Sequence, residues 1–123
     1  MPVVDVHAHV IVPEVLRDAA PGESWRPRVF REAGEQIVEW GARRIKSAVR
    51  EFVALDAILA EQDAAGVDRV VLCPWVSLLS YDAAPDDGLR ICRLYNDALA
   101  GMAEQHPARL GVLGMIPLQD PAL

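Results

Sequence analysis

Residues 4–10 read Val4-Asp5-Val6-His7-Ala8-His9-Val10, a Val-rich run that starts almost at the first residue. Side chains two apart on a strand share a face. His7 and His9 therefore project together, with Asp5 one step deeper on the same face, while Val4, Val6, Ala8 and Val10 form an apolar face suited to packing on helices. Two imidazoles and a carboxylate on an inward face cost several kcal/mol unless paired or bound. A divalent metal ion answers that cost. Two imidazoles can share one ion, and each needs an acceptor for its other ring nitrogen, a role open to Asp5. Against this stands the ordinary strand histidine, structural or exposed. Two ligands also do not complete a site, since catalytic zinc takes about three protein ligands plus water. The third histidine, His106, precedes Pro107 at a helix end and is a poor candidate ligand.

Working outward, residues 11–28 hold Pro13, Pro21, Gly22 and Pro27 and read as loop, with a short helical turn around 14–19. From about Val29 to Arg50 the apolar residues Ile37, Val38, Ile45, Ala48 and Val49 predict helix, interrupted at Gly34 or Gly41. A second helical stripe runs Phe52, Leu55, Ile58, Leu59, Gln62, and Gly66 stops it. Arg69-Val70-Val71-Leu72-Cys73-Pro74-Trp75 reads as a parallel strand covered on both faces, ended by Pro74. A helix over 88–106 follows, with Asp86 or Asp87 as its cap and the stripe Ile91, Cys92, Tyr95, Ala98, Leu99, Met102. Residues 110–116 predict a third strand, and Asp120-Pro121 the start of another helix. Alternating strands and helices imply a parallel α/β sheet.

The 123 residues are enough for one domain, and 52% hydrophobic with 24% charged is the balance of a core-forming chain. A net charge of −6 offers no basic footprint for nucleic acid or an anionic membrane. No apolar run is long enough to span a bilayer. Met1-Pro2 leads straight into the first strand, so no secretory leader is expected. Cys73 and Cys92 sit in apolar runs, read as reduced, buried thiols of a cytoplasmic protein. Cys73 has no visible activating base and is not expected to be a nucleophile.

Three passages resemble the amidohydrolase superfamily, in the amidohydrolase-2 branch of the aminocarboxymuconate semialdehyde decarboxylase type. The first strand is similar to that branch's HxH motif. Gln62-Asp63-Ala64-Ala65-Gly66-Val67-Asp68-Arg69-Val70-Val71-Leu72 is similar to its passage into the second strand. The longest match runs from Cys92-Arg93-Leu94-Tyr95-Asn96-Asp97-Ala98-Leu99-Ala100 through His106-Pro107-Ala108-Arg109-Leu110-Gly111 to Ile116-Pro117-Leu118-Gln119-Asp120-Pro121. The resemblance implies a (β/α)₈ TIM-type barrel, of which residues 1–123 are an incomplete N-terminal part: about three strands with an inserted helical segment. It implies one divalent ion, usually zinc, with His7 and His9 as its first two ligands and the remaining ligands and the catalytic histidine on later strands.

It also implies a substrate-binding arginine after the first strand. Phe30-Arg31 matches that pair in type, Arg44 and Arg50 are alternatives, and the bland reading makes all three solvated charges. Trp75, just past the second strand, lies where barrel active sites form and is a candidate substrate contact. Asp63 reads as a turn signal, and Asn96 and Asp97 as a cap or tether. The activity implied is decarboxylation of an unsaturated or aromatic carboxylic acid. Hydrolysis or hydration by the same superfamily is the alternative. A small-molecule carboxylate is the expected partner and a homodimer the assembly to test. Two other classes stay open: an HxH phosphoesterase, which Val10-Ile11-Val12-Pro13 disfavours, and an inactive fragment that only associates with a partner chain.

Overall fold

The computed structural model describes residues 1–46, 50–79 and 81–123 and, of Arg50 and Glu51, the backbone only. Three strands form a parallel sheet in the order β1-β5-β6, where β1 is Val4–Val10, β5 Arg69–Pro74 and β6 Leu110–Val112. Between β1 and β5 come a 3₁₀ turn at Pro13–Leu16, a second sheet and the helices α1 (Arg50–Val53) and α2 (Leu55–Ala64). Helix α3 spans Pro85–Gln105 and connects β5 to β6. No helix of the described residues is long and apolar enough to cross a membrane.

The second sheet corrects the helix expected over 29–50. It is an antiparallel meander of β2 (Arg28–Glu32), β3 (Glu35–Trp40) and β4 (Arg43–Lys46). The period is two: Val29, Val38, Trp40 and Ile45 share the face that joins the core. The opposite face carries ion-paired rows, Arg28 with Glu39 at 3.1 Å and Arg44 with both Glu32 and Glu39, and both guanidinium groups lie over the Phe30 ring. The glycines that interrupted the helical pattern are turn residues. Ala33 and Gly34 both have positive φ (51° and 85°), as a two-residue hairpin turn of the favoured hand requires, and Gly41 (57°) opens the second turn. Ala48 and Val49, the end of the expected stripe, lie outside the described residues.

Helix α2 follows the expected stripe in part, with Ile58 buried, and stops as the sequence indicates. Gly66 takes φ 70°, its N–H reaches the Asp63 carbonyl and that of Val67 the Gln62 carbonyl, the paired bonds of a Schellman stop. Helix α3 begins three residues before the expected start, at Pro85. Its N-cap is Ala84, and Asp86 and Asp87 lie inside the first turn without capping it. There they still favour the positive end of the helix dipole. The expected core stripe of α3 holds: Ile91, Cys92, Tyr95, Leu99 and Met102 are buried against the parallel sheet.

The third strand is shorter than expected because Asn96 competes for its backbone. The side chain accepts from the Met115 N–H at 2.7 Å and donates to the Met115 carbonyl at 2.9 Å, drawing the chain off the ladder after Leu113. Gly114 leaves the room this needs, since a Cβ there would sit 2.9 Å from the Asn96 oxygen. Residues 118–123 form turns, not the expected start of a helix. At the start of the strands, Arg109 binds the Asp63 carboxylate at 2.6 Å and the Asp68 carbonyl at 2.7 Å, while the Asp68 carboxylate accepts the Val3 N–H at 2.7 Å.

Two substitutions test this account by chemical denaturation. Asn96→Ala strands both backbone groups of Met115 and is expected to lower stability by about 1–3 kcal/mol. Ala33→Asn suits the left-handed conformation and is expected to raise it by about 0.5–1 kcal/mol.

Candidate metal centre

The two histidines meet as the strand pattern predicts. His7 Nε2 and His9 Nε2 lie 3.2 Å apart, with ring centroids at 4.7 Å and planes nearly perpendicular. His9 Nδ1 stands 3.0 Å from the Pro74 carbonyl at the end of β5. A carbonyl only accepts, so Nδ1 carries the proton there, and Nε2 is the nitrogen that faces His7. Two nitrogens bound tetrahedrally to one zinc ion at about 2.0–2.1 Å are about 3.3 Å apart. The pair therefore has the bite of a shared ion, and His9 already has the outer acceptor that a metal-bound imidazole uses. Among the described residues, no group of three or more His, Cys, Asp or Glu side chains gathers as a ligand set, so the pair supplies a partial shell.

Asp5 is not on the imidazole face, which corrects the simple alternation. Asp5 pairs with Val70 and Ala8 with Leu72, so three steps along β1 answer two along β5. This bulge inverts the phase of the strand. Asp5 stands beside buried Val70 on the helix-covered face, where Gln62 of α2 donates to its Oδ2 at 3.3 Å. Its Oδ1 accepts the backbone N–H of His7 at 3.0 Å. It is an acceptor for the strand and not for an imidazole ring. Val4 and Val6, expected to pack on helices, are exposed.

Around the pair, Cys73 Sγ lies 3.8 Å from His7 Nδ1. An imidazole therefore does lie beside Cys73, which the sequence did not show; burial, with the Asp5 charge adding to it, pushes the thiol up. Both cysteines are free. Trp75 stacks edgewise on His9 at 5.8 Å, and Phe52 of α1 packs on Trp75 at 4.6 Å. The Ile11 N–H bonds the Phe52 carbonyl at 2.7 Å and holds α1 at the end of β1. The Tyr95 hydroxyl donates to the Val10 carbonyl at 3.1 Å, and burial pushes its phenol up. Phe52 had no signal in the sequence beyond its place in a helical stripe.

The other candidates lie elsewhere. Arg31 is exposed on β2, donates to the Gly34 carbonyl at 3.3 Å, and lines a concavity with Leu16, Asp18 and Gln36 that does not include the histidines. Arg44 is held in the ion pairs of β4, and the side chain of Arg50 lies outside the described residues. His106 caps the far end of α3. A crevice of about 370 Å³ opens between the meander and the start of α3, lined by Trp25, Arg26, Trp40 and Asp82 among others. Its carboxylates Glu39, Asp82 and Asp87 already face Arg28, Arg43 and Arg90. The histidine pair is the better site on chemistry, although three strands leave it open and do not enclose it.

Long-range ¹H–¹⁵N spectra of the imidazoles test the geometry. His9 is expected as the tautomer protonated on Nδ1; a His9 ring protonated on Nε2 alone contradicts the Pro74 bond.

No family model matches the chain. Among solved structures it is similar in fold to 2,6-dihydroxybenzoate decarboxylase from Rhizobium, with a TM-score of 0.66 and 23% sequence identity. The likeness covers 99% of this chain and 32% of that enzyme, so the chain spans about a third of its length.

Proposed function

We propose that residues 1–123 form the N-terminal part of one metal-dependent barrel domain of the amidohydrolase superfamily, acting on an unsaturated or aromatic carboxylic acid with loss of carbon dioxide. The observation that carries the reading is the His7–His9 pair, two Nε2 atoms 3.2 Å apart with His9 fixed by Pro74. Likeness of fold to a decarboxylase supports it, as do the three passages that resemble the amidohydrolase-2 branch. The two free edges of the parallel sheet support a continuing barrel. Among the described residues β1 has no neighbour on one side and β6 none on the other, and Val4, Val6, Leu113, Ile116 and Leu118 are exposed.

In this reading His7 and His9 hold one divalent ion, most simply zinc. Bound there, such an ion supplies Lewis acidity and a lowered pKa for water. The chain's own residues do the rest of the work at this end of the site. The Pro74 carbonyl keeps the His9 proton on Nδ1. Trp75 and Phe52 form a wall of rings beside His9, against which a planar substrate would lie. Arg31, the guanidinium expected to hold a substrate carboxylate, sits on β2 in a concavity without the histidines, so that role is not given to it at this site. The remaining ligands and the proton donor come from later strands of the barrel. Hydrolysis or hydration would use the same metal pair.

The test is zinc titration of the purified chain, followed by assay with 2,6-dihydroxybenzoate and related aromatic carboxylates. Zinc binding is expected, weak for a two-histidine site, and lost in His7→Ala and His9→Ala. No turnover is expected from these residues alone. Binding that survives both substitutions, or decarboxylation by the 123 residues, would overturn the assignment.

A further inference from the structure

We propose that Asp5 is a positioning residue for the metal pair: its carboxylate captures the His7 amide that the bulge releases and so sets the direction in which the His7 ring meets His9. The inference rests on the metal reading above for its ligand and adds to it a residue outside the ligand set.

Four observations carry it. First, an extra residue in a strand leaves backbone groups without a ladder partner, and such bulges re-aim side chains. Here the bulge falls between Asp5 and Ala8, and the His7 N–H turns to Asp5 Oδ1 at 3.0 Å. Second, Asp5 occupies a helix-covered position beside Val70, where an apolar residue costs nothing and a carboxylate does. It is held there from the far side by Gln62 Nε2 at 3.3 Å. Third, the His7 ring lacks a tether like that of His9. Among the described residues its Nδ1 has only Cys73 Sγ at 3.8 Å, a long and weak contact, so the direction of the ring is set by its backbone. Fourth, Gln62 Oε1 is buried without a hydrogen-bond partner among the described residues. Turning that amide over would let it accept from a neutral Asn at position 5 while the Asn oxygen kept the His7 N–H.

These observations predict different fates for two substitutions. Asp5→Val places a strand-favouring apolar residue on the helix-covered face and removes the acceptor. Asp5→Asn keeps the acceptor. Zinc affinity is measured by titration, the His7 amide by hydrogen exchange in the metal-free chain, and folding by thermal melting. Asp5→Val is expected to bind zinc about 10–100-fold more weakly, the usual effect of losing an outer-shell partner, with faster His7 exchange. Asp5→Asn is expected to stay close to the parent chain in both. A folded Asp5→Val chain with parental zinc affinity and parental His7 exchange overturns the proposal. If the parent chain binds no zinc, the metal reading fails by itself and the exchange data decide: unchanged His7 protection in Asp5→Val overturns the inference, and protection lost there but kept in Asp5→Asn supports it. Should Asp5→Val not fold, Gln62→Leu takes its place; weaker zinc binding with faster His7 exchange supports the role, and no change in either overturns it.

Discussion

One extra residue in β1 governs the candidate site. Three steps from Asp5 to Ala8 stand against two from Val70 to Leu72, and the faces exchange across that step. Without it, Asp5, His7 and His9 would line one face, with the carboxylate beneath the rings. With it, the carboxylate turns to the helices and the imidazoles meet each other in the open face of the sheet. The bulge also frees the backbone amide of exposed His7 from the ladder. Asp5 accepts that amide while remaining on the side where Gln62 reaches it.

The two ends of the parallel sheet carry different kinds of chemistry. At the start of the strands the contacts are structural: Arg109 ties Asp63 and the Asp68 carbonyl, and Asp68 ties Val3. At the other end, backbone carbonyls serve as acceptors for groups around the site. Val10 takes both the Tyr95 hydroxyl and the Trp75 N–H, and Pro74 takes the His9 ring. Rings from three elements, His9 of β1, Trp75 after β5 and Phe52 of α1, then join the insertion to the site.

The parallel strands and α3 were legible in the sequence because their burial is strong and continuous: Val70, Leu72, Ile91, Tyr95 and Leu99 needed no tertiary context. So was the Gly66 stop, and so was Asn96 as a tether. The meander was not. Its apolar residues are few and separated by arginines and glutamates, so Val38 and Ile45 match a helical period as well as a strand period, and the two-residue turns at Ala33-Gly34 and Gly41-Ala42 were the stronger signal. In the site, the His7–His9 contact followed from alternation alone. The side taken by Asp5 did not, since no local pattern announces a bulge that depends on register with β5. Phe52 and the Pro74 carbonyl join the site only through packing between distant segments.

The central claim is that His7 and His9 share one metal ion through their Nε2 atoms. X-ray absorption at the zinc edge of the zinc-loaded chain measures that most directly. The account predicts two imidazole nitrogens at about 2.0–2.1 Å, with oxygen completing the shell and no sulfur. A sulfur shell at about 2.3 Å, which would bring Cys73 into the site as a thiolate, or a shell of oxygen alone, would contradict it.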